Sequence, residues 1–197
     1  MPIAIAPYRF GMRTVPTFVV AAIALLALSS CQPDAVPIIP DPVPTSDLLF
    51  ESEEEALAAA EEAYGAYLAV SNAVLADGGA EPERLLEVAG TDLYESELEG
   101  LQSFVESGWR SVGAATVDTV SLQMYDPLAA QDEPVVVVYA CLDVSQTDVV
   151  DAEGRSVLSG DRQVRLAFET SFAFETATSS QLIMVAKDLW SGGDFCN

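Results

Sequence analysis

The chain of 197 residues contains no histidine. That absence removes the usual general base, the middle member of Ser-His-Asp and Cys-His arrangements, and a common zinc ligand. An HExxH helix is excluded with it, and no glycine-rich phosphate loop occurs. Cations are scarce too: eight Lys and Arg stand against 31 Asp and Glu, a formal charge of −23. Arg9 and Arg13 open the chain, whereas every acid lies beyond position 31. From Cys31 onward Arg84, Arg110, Arg155, Arg162, Arg165 and Lys187 remain, so six cations face 31 acids and the net charge is −25. Such a surface repels phosphate backbones and gains nothing from counterion release, so nucleic acid is not an expected partner. An anionic membrane face repels it as well. The acid serves solubility; its other reading is recruitment of a basic partner or of divalent cations. Cysteine is sparse, three in all with no CxxC, and no cofactor or metal is expected.

What is present begins with residues 1 to 31. Arg9 and Arg13 precede an uncharged run from Val15 to Leu28 that ends in Leu28-Ser29-Ser30-Cys31. A charged start, an apolar centre and small residues before a cleavage point make a secretory signal. The run is shorter than the roughly 20 residues of a membrane-spanning helix. Because a cysteine comes directly after the small residues, the stretch resembles the bacterial lipobox, whose cysteine receives a diacylglyceryl group before cleavage and becomes the mature N-terminus. An ordinary secretory signal with a chance cysteine, or an uncleaved anchor, is the plainer reading. The residues after Cys31 decide for lipidation. Five prolines between Pro33 and Pro44 cannot continue a helix or a core strand, and they favour an extended tether of about 3.1 Å per residue. Residues 1–30 are therefore expected to be a lipoprotein signal peptide, and 31–47 a lipidated Cys31 with a Pro-rich tether. Residues 48–197 form the domain, held to the extracytoplasmic face of the cell membrane. One acyl chain binds marginally, whereas two hold firmly.

The last 150 residues or so suit one domain. Ser52 with Glu55 fits a capping box, and Leu57, Ala60, Tyr64, Tyr67, Leu68, Ser71 and Leu75 recur at helical spacing before Gly78-Gly79. A shorter helix is predicted from Pro82 to Val88, ended by Gly90. A third is capped by Thr91, carries Tyr94, Leu98, Leu101 and Val105 on one face, and ends at Gly108. The period then changes to two. Val120, Leu122 and Met124 alternate with polar neighbours, 134 to 144 is nearly all apolar, and Val164 to Phe174 alternates cleanly; Leu182 to Trp190 supplies a fourth strand. Helices first and strands afterwards imply an α+β layer fold, a curved four-stranded antiparallel sheet with helices on one face. With Cys31 lipidated in an oxidising compartment, Cys141 and Cys196 form an even pair and are expected to join, tying the tail to a central strand. Asp151-Ala152-Glu153-Gly154 faintly suggests a calcium loop. Its end ligands would be Val149 and Gly160, so it reads as a hairpin turn.

This order of elements resembles the cone-shaped fold of the nuclear transport factor 2-like superfamily, and within it the uncharacterised lipoproteins of high-GC Gram-positive bacteria. The resemblance rests on Leu28 to Cys31, on Tyr139 to Ser145 with Asp151 to Arg155, and on Leu189-Trp190 with Cys196. It implies a concave pocket between sheet and helices, without an assigned activity. Some enzymes of that superfamily are isomerases or cyclases that use an acidic base and a tyrosine, and here Asp143 and Tyr139 share one strand face. The plainer reading is that Tyr139 packs and Asp143 ends the strand in solvent. Tyr64, Tyr67, Trp109 and Trp190 are candidate lining for an apolar ligand, or plain core. Arg110 is a candidate anchor for an anion, or an ordinary ion-pair partner. The expected function is a membrane-anchored module that binds a small apolar ligand or an envelope protein. The alternative is an isomerase-type or hydrolase-type enzyme.

Overall fold

The computed structural model describes residues 49–130, 133–176, 179, 181–193 and 195–196. The signal, Cys31 and the tether lie outside them. The described chain enters the domain at Phe50, whose ring lies 6.0 Å from Tyr125 and 5.9 Å from Phe174. Its backbone exchanges two 2.8 Å hydrogen bonds with the Tyr125 hydroxyl.

Helix α1, Glu53–Ala76, starts as its sequence dictates. Ser52 Oγ accepts the Glu55 N–H at 3.2 Å, while the Glu55 carboxylate accepts the N–H of Glu51 at 2.8 Å, one residue earlier than in the usual capping box. Glu53, Glu54 and Glu55 sit at the positive end of the helix dipole. The buried stripe Ala56, Ala60, Ala63, Tyr64, Tyr67, Leu68 and Val74 turns toward the sheet. Gly78 and Gly79, with φ of 72° and 82°, stop the helix, and a Cβ on Gly79 would lie 2.6 Å from the Val105 side chain.

The segment Pro82–Glu87 is a 3-10 helix where an α-helix was expected. Val88 to Gly90 then runs extended beside the last strand: the Met184 N–H donates to Val88 O at 3.1 Å, and the Gly90 N–H donates to Met184 O at 2.8 Å. Gly90 is thus recruited to cover a sheet edge and to stand as N-cap of α2, Thr91–Glu106; Thr91 is the first helical residue. Helix α2 fully buries only Leu93 and Leu101.

Among the described residues six strands follow: β1 Arg110–Val112, β2 Thr116–Tyr125, β3 Val136–Asp143, β4 Asp148–Val150, β5 Arg165–Phe174 and β6 Leu182–Leu189. The main sheet is a curved antiparallel one in the order β2-β3-β5-β6. Its inner face, with Val120, Leu122, Val136, Val138, Ala140, Phe172 and Met184, packs on α1 in one core. The four-stranded α+β architecture matches the expectation. The pairing of β1 with β4 in a second, two-stranded sheet was not anticipated, since three residues are too few to show alternation. On the outer face Cys141 of β3 and Cys196 of the tail form a disulfide with Cα atoms 5.5 Å apart, 55 positions distant in sequence.

Candidate functional site

The candidate residues fall into separate places. Alternation along β3 directs Val136, Val138 and Ala140 inward and Tyr139, Cys141 and Asp143 outward. Tyr139 packs against Trp190 at 4.7 Å and Phe195 at 5.6 Å between ring centroids, in the layer pinned by the disulfide. The Asp143 carboxylate accepts the Ser145 N–H at 2.7 Å. That bond, the Ser145 hydroxyl and the Arg165 charge hold its pKa below the usual carboxylate range. Trp109 stands at the α2–β1 corner, 36% exposed, edge-on to Phe104 at 6.2 Å. Arg110, exposed on β1, forms no ion pair among the described residues. Tyr64 and Tyr67 alone of the candidates lie between helix and sheet.

There they meet two residues that sequence reasoning missed. The Tyr67 hydroxyl donates to Glu97 Oε1 at 2.8 Å, and Lys187 Nζ donates to the same oxygen at 2.6 Å and to Tyr67 Oη at 3.1 Å. The ammonium lies 5.1 Å from the centre of the Tyr67 ring and 5.7 Å from that of Phe168, a geometry that adds cation–π attraction. The Lys187 and Glu97 side chains are 19% and 28% exposed. Lys187 is the only lysine of the chain. By strict alternation from Leu182 and Met184, Ala186 would face the helices and Lys187 would face away. Strand β6 instead pairs Met184 with Phe172 and Ala186 with Ser171, leaving Val185 as an extra bulged residue, and Lys187 pairs with the fully buried Thr170. A bulge re-aims the side chains beyond it. A single lysine in an otherwise apolar strand was the signal available in the sequence.

Burial pushes the Tyr64 phenol up to about 12, with Lys187 opposing the shift. Burial, with the Glu97 charge second, pushes that of Tyr67 up further. Tyr64 Oη and Thr170 Oγ1 are neighbours deep in the core, and among the described residues neither has a partner at full hydrogen-bond geometry. The cluster can orient charge across the α2–sheet seam. An ammonium held by a carboxylate and a phenol is not a free nucleophile.

Grooves lie elsewhere on the described surface. One of about 420 Å³ is lined by Leu86, Gly90, Asp92, Phe174, Ile183 and Val185, and one of about 230 Å³ lies along α2. Neither is lined by Tyr64, Tyr67, Glu97 or Lys187. At Asp151 the carboxylate accepts the N–H groups of Glu153 at 3.0 Å and Arg155 at 2.9 Å, and the Gly154 N–H closes on Asp151 O at 3.0 Å, so this stretch is a hairpin turn. Among the described residues no group of three His, Cys, Asp or Glu side chains gathers as a metal site, and no helix is long and apolar enough to cross a membrane.

No family model and no curated protein matches the chain. Geometry therefore has to carry the functional reading. The inner cluster neutralises its own charges, and the outer aromatic group is closed by the tail. What stays accessible is surface: fourteen exposed carboxylates on the helical segment 51–106 and the grooves beside them.

Proposed function

We propose that this chain is a lipoprotein, anchored through a lipid on Cys31 at the extracytoplasmic face of the cell membrane. Its domain, of the nuclear transport factor 2-like class, serves as an interaction module for another envelope protein. The observation that carries the reading is the filled interior: Tyr64, Tyr67, Phe172 and Met184, each under 2% exposed, occupy the space between α1 and the sheet. A ligand there would have to displace core side chains. The succession of long helix, 3-10 turn, second helix and curved antiparallel sheet supports the fold class. The Leu28-Ser29-Ser30-Cys31 sequence and its proline-rich sequel support the anchor. The enzyme reading through Asp143 and Tyr139 gains no support, because both lie on the outer sheet face, away from the helices, with Tyr139 packed on Trp190 and Phe195.

The test is purification of the full chain from crosslinked native membranes. A recurrent envelope protein is the expected result. A recurrent small molecule in the denatured extract, with no protein, overturns the module reading.

A further inference from the structure

Residues 51 to 106 carry fifteen carboxylates and one cation, Arg84. Arg84 is already engaged with Asp77 at 2.9 Å and with the carbonyls of Ala80 and Glu81. All of these carboxylates except Glu97 are exposed. Within this acidic layer the 230 Å³ groove is lined mainly by apolar groups, with Gly79 and Pro82 on one wall and Leu98, Leu101 and Val105 on the other. Val105 leaves 51% of its surface to solvent. The spacing of Leu98, Leu101 and Val105 is i, i+3, i+7, a continuous stripe along α2. Glu106 lines the groove, Glu81 and Glu83 flank Pro82, and Glu99 is next to Leu98.

We infer that this groove docks a cationic amphipathic segment of a partner protein. The segment presents an apolar side chain to Leu98, Leu101 and Val105, and Lys or Arg side chains to the surrounding carboxylates. Charge complementarity selects this occupant. A second copy of the chain brings the same net negative charge, and an anionic lipid surface is repelled for the same reason. The apolar stripe supplies register, as in other helix-face recognition, and the carboxylates supply steering. The inference rests on the interaction-module reading and names its partner class.

The test uses the full chain in nanodiscs of zwitterionic lipid, with empty nanodiscs as reference. The probe is a fluorescent, synthetic Lys- and Leu-rich amphipathic peptide, and the comparison peptide carries Glu in place of Lys. Binding of the Lys peptide and not of the Glu peptide is expected. Val105→Asp should weaken binding by about tenfold or more, a change of the size produced by losing a buried apolar anchor. Glu99→Lys with Glu106→Lys should weaken it and flatten its dependence on salt. Val112→Asp, at an exposed position on β1, should leave it unchanged. Unaltered binding by a Val105→Asp protein with wild-type circular dichroism overturns the inference. So does an equal loss with Val112→Asp, or wild-type dimerisation abolished by Val105→Asp. Failure here is separable from failure of the broader reading. If Val105→Asp still copurifies with its envelope protein, the groove assignment falls and the module stands. If the peptide maps to the groove while native membranes yield no protein partner, the groove survives and the module falls.

Discussion

Two tyrosines one helical turn apart carry the same burial and opposite bonding. Tyr67 donates to Glu97 and accepts from Lys187, whereas Tyr64 Oη has only the Thr170 hydroxyl near it and no partner at full hydrogen-bond geometry among the described residues. Deleting a bonded hydroxyl and deleting an orphaned one are different experiments. Tyr67→Phe should destabilise the domain by about 1–2 kcal/mol, and Tyr64→Phe should be neutral or stabilising. Urea denaturation of the two variants reads this directly; equal losses would contradict it. The pH dependence has a fixed sign. An unfolded tyrosine ionises near 10, while Tyr64 in the fold titrates at about 12, so its contribution is complete below about pH 10 and is lost as pH rises through 12. The slope is about 1.4 kcal/mol per pH unit for each such group, and Tyr64→Phe should shallow the alkaline decline. Lys187 and Glu97 supply a second test at this scale. Lys187→Met leaves a half-buried carboxylate without its cation and should cost about 1–3 kcal/mol, whereas Lys187→Met combined with Glu97→Leu should recover part of that. A strictly additive double-mutant cycle would show that the pair is not coupled.

At the scale of elements, what the sequence displayed was periodicity, and what it concealed was every departure from periodicity. Helix α1 and strands β2 and β5 were legible because their apolar residues recur at 3.6 or 2 over eight residues or more, and β3 because it is a nearly unbroken apolar run. The Val185 bulge was not, since a strand with one extra residue reads as uninterrupted text. That single slip hid Lys187, and with it the only ionic tie between α2 and the sheet among the described residues. Gly90 misled for a related reason: its backbone is spent on the β6 edge, which propensity cannot foresee. The Tyr139 and Asp143 pairing was correct as to face, but alternation does not say which face the helices cover. The cysteine pair was legible once Cys31 was set aside for lipid, which leaves Cys141 and Cys196, and its consequence lies in the tail. Trp190 packs on Tyr139, and its indole N–H donates to Gly193 O at 3.1 Å, in the segment that Cys196 pins. Reduction, or Cys196→Ser, should lower stability by about 2–4 kcal/mol. It should also raise acrylamide quenching of Trp190, observed in a Trp109→Phe background. Quenching that does not respond to reductant would mean that the tail holds its place without the bond.

For the whole molecule the governing quantity is charge. The helical layer sets fifteen carboxylates against Arg84, so folding brings like charges together that the unfolded chain keeps further apart. Among the described residues the pairs that could offset this are few: Arg84 with Asp77 and Lys187 with Glu97 reach the helical layer, while Arg155 with Asp151 and Glu153, and Arg165 with Asp118, lie on strands and turns. Exposed pairs of this kind contribute little. Repulsion between exposed groups is screened over about 10 Å at 0.1 M salt and about 3 Å at 1 M, so it is a cost that salt removes. The midpoint of thermal unfolding should therefore rise by several degrees as sodium chloride is raised from about 0.01 M to about 0.5 M, where one kcal/mol corresponds to roughly 2–4 °C for a domain of this size. Specific ion effects on the core would produce a similar rise, and a charge reversal separates the two. Glu61→Lys with Glu62→Lys on the exposed face of α1 changes no buried contact, yet lowers the local field. If repulsion is the cause, this variant melts higher than wild type in low salt and its midpoint depends less on salt, the two curves converging at high salt. Parallel curves would assign the salt effect to the core, and would leave the acidic layer energetically neutral in the isolated protein.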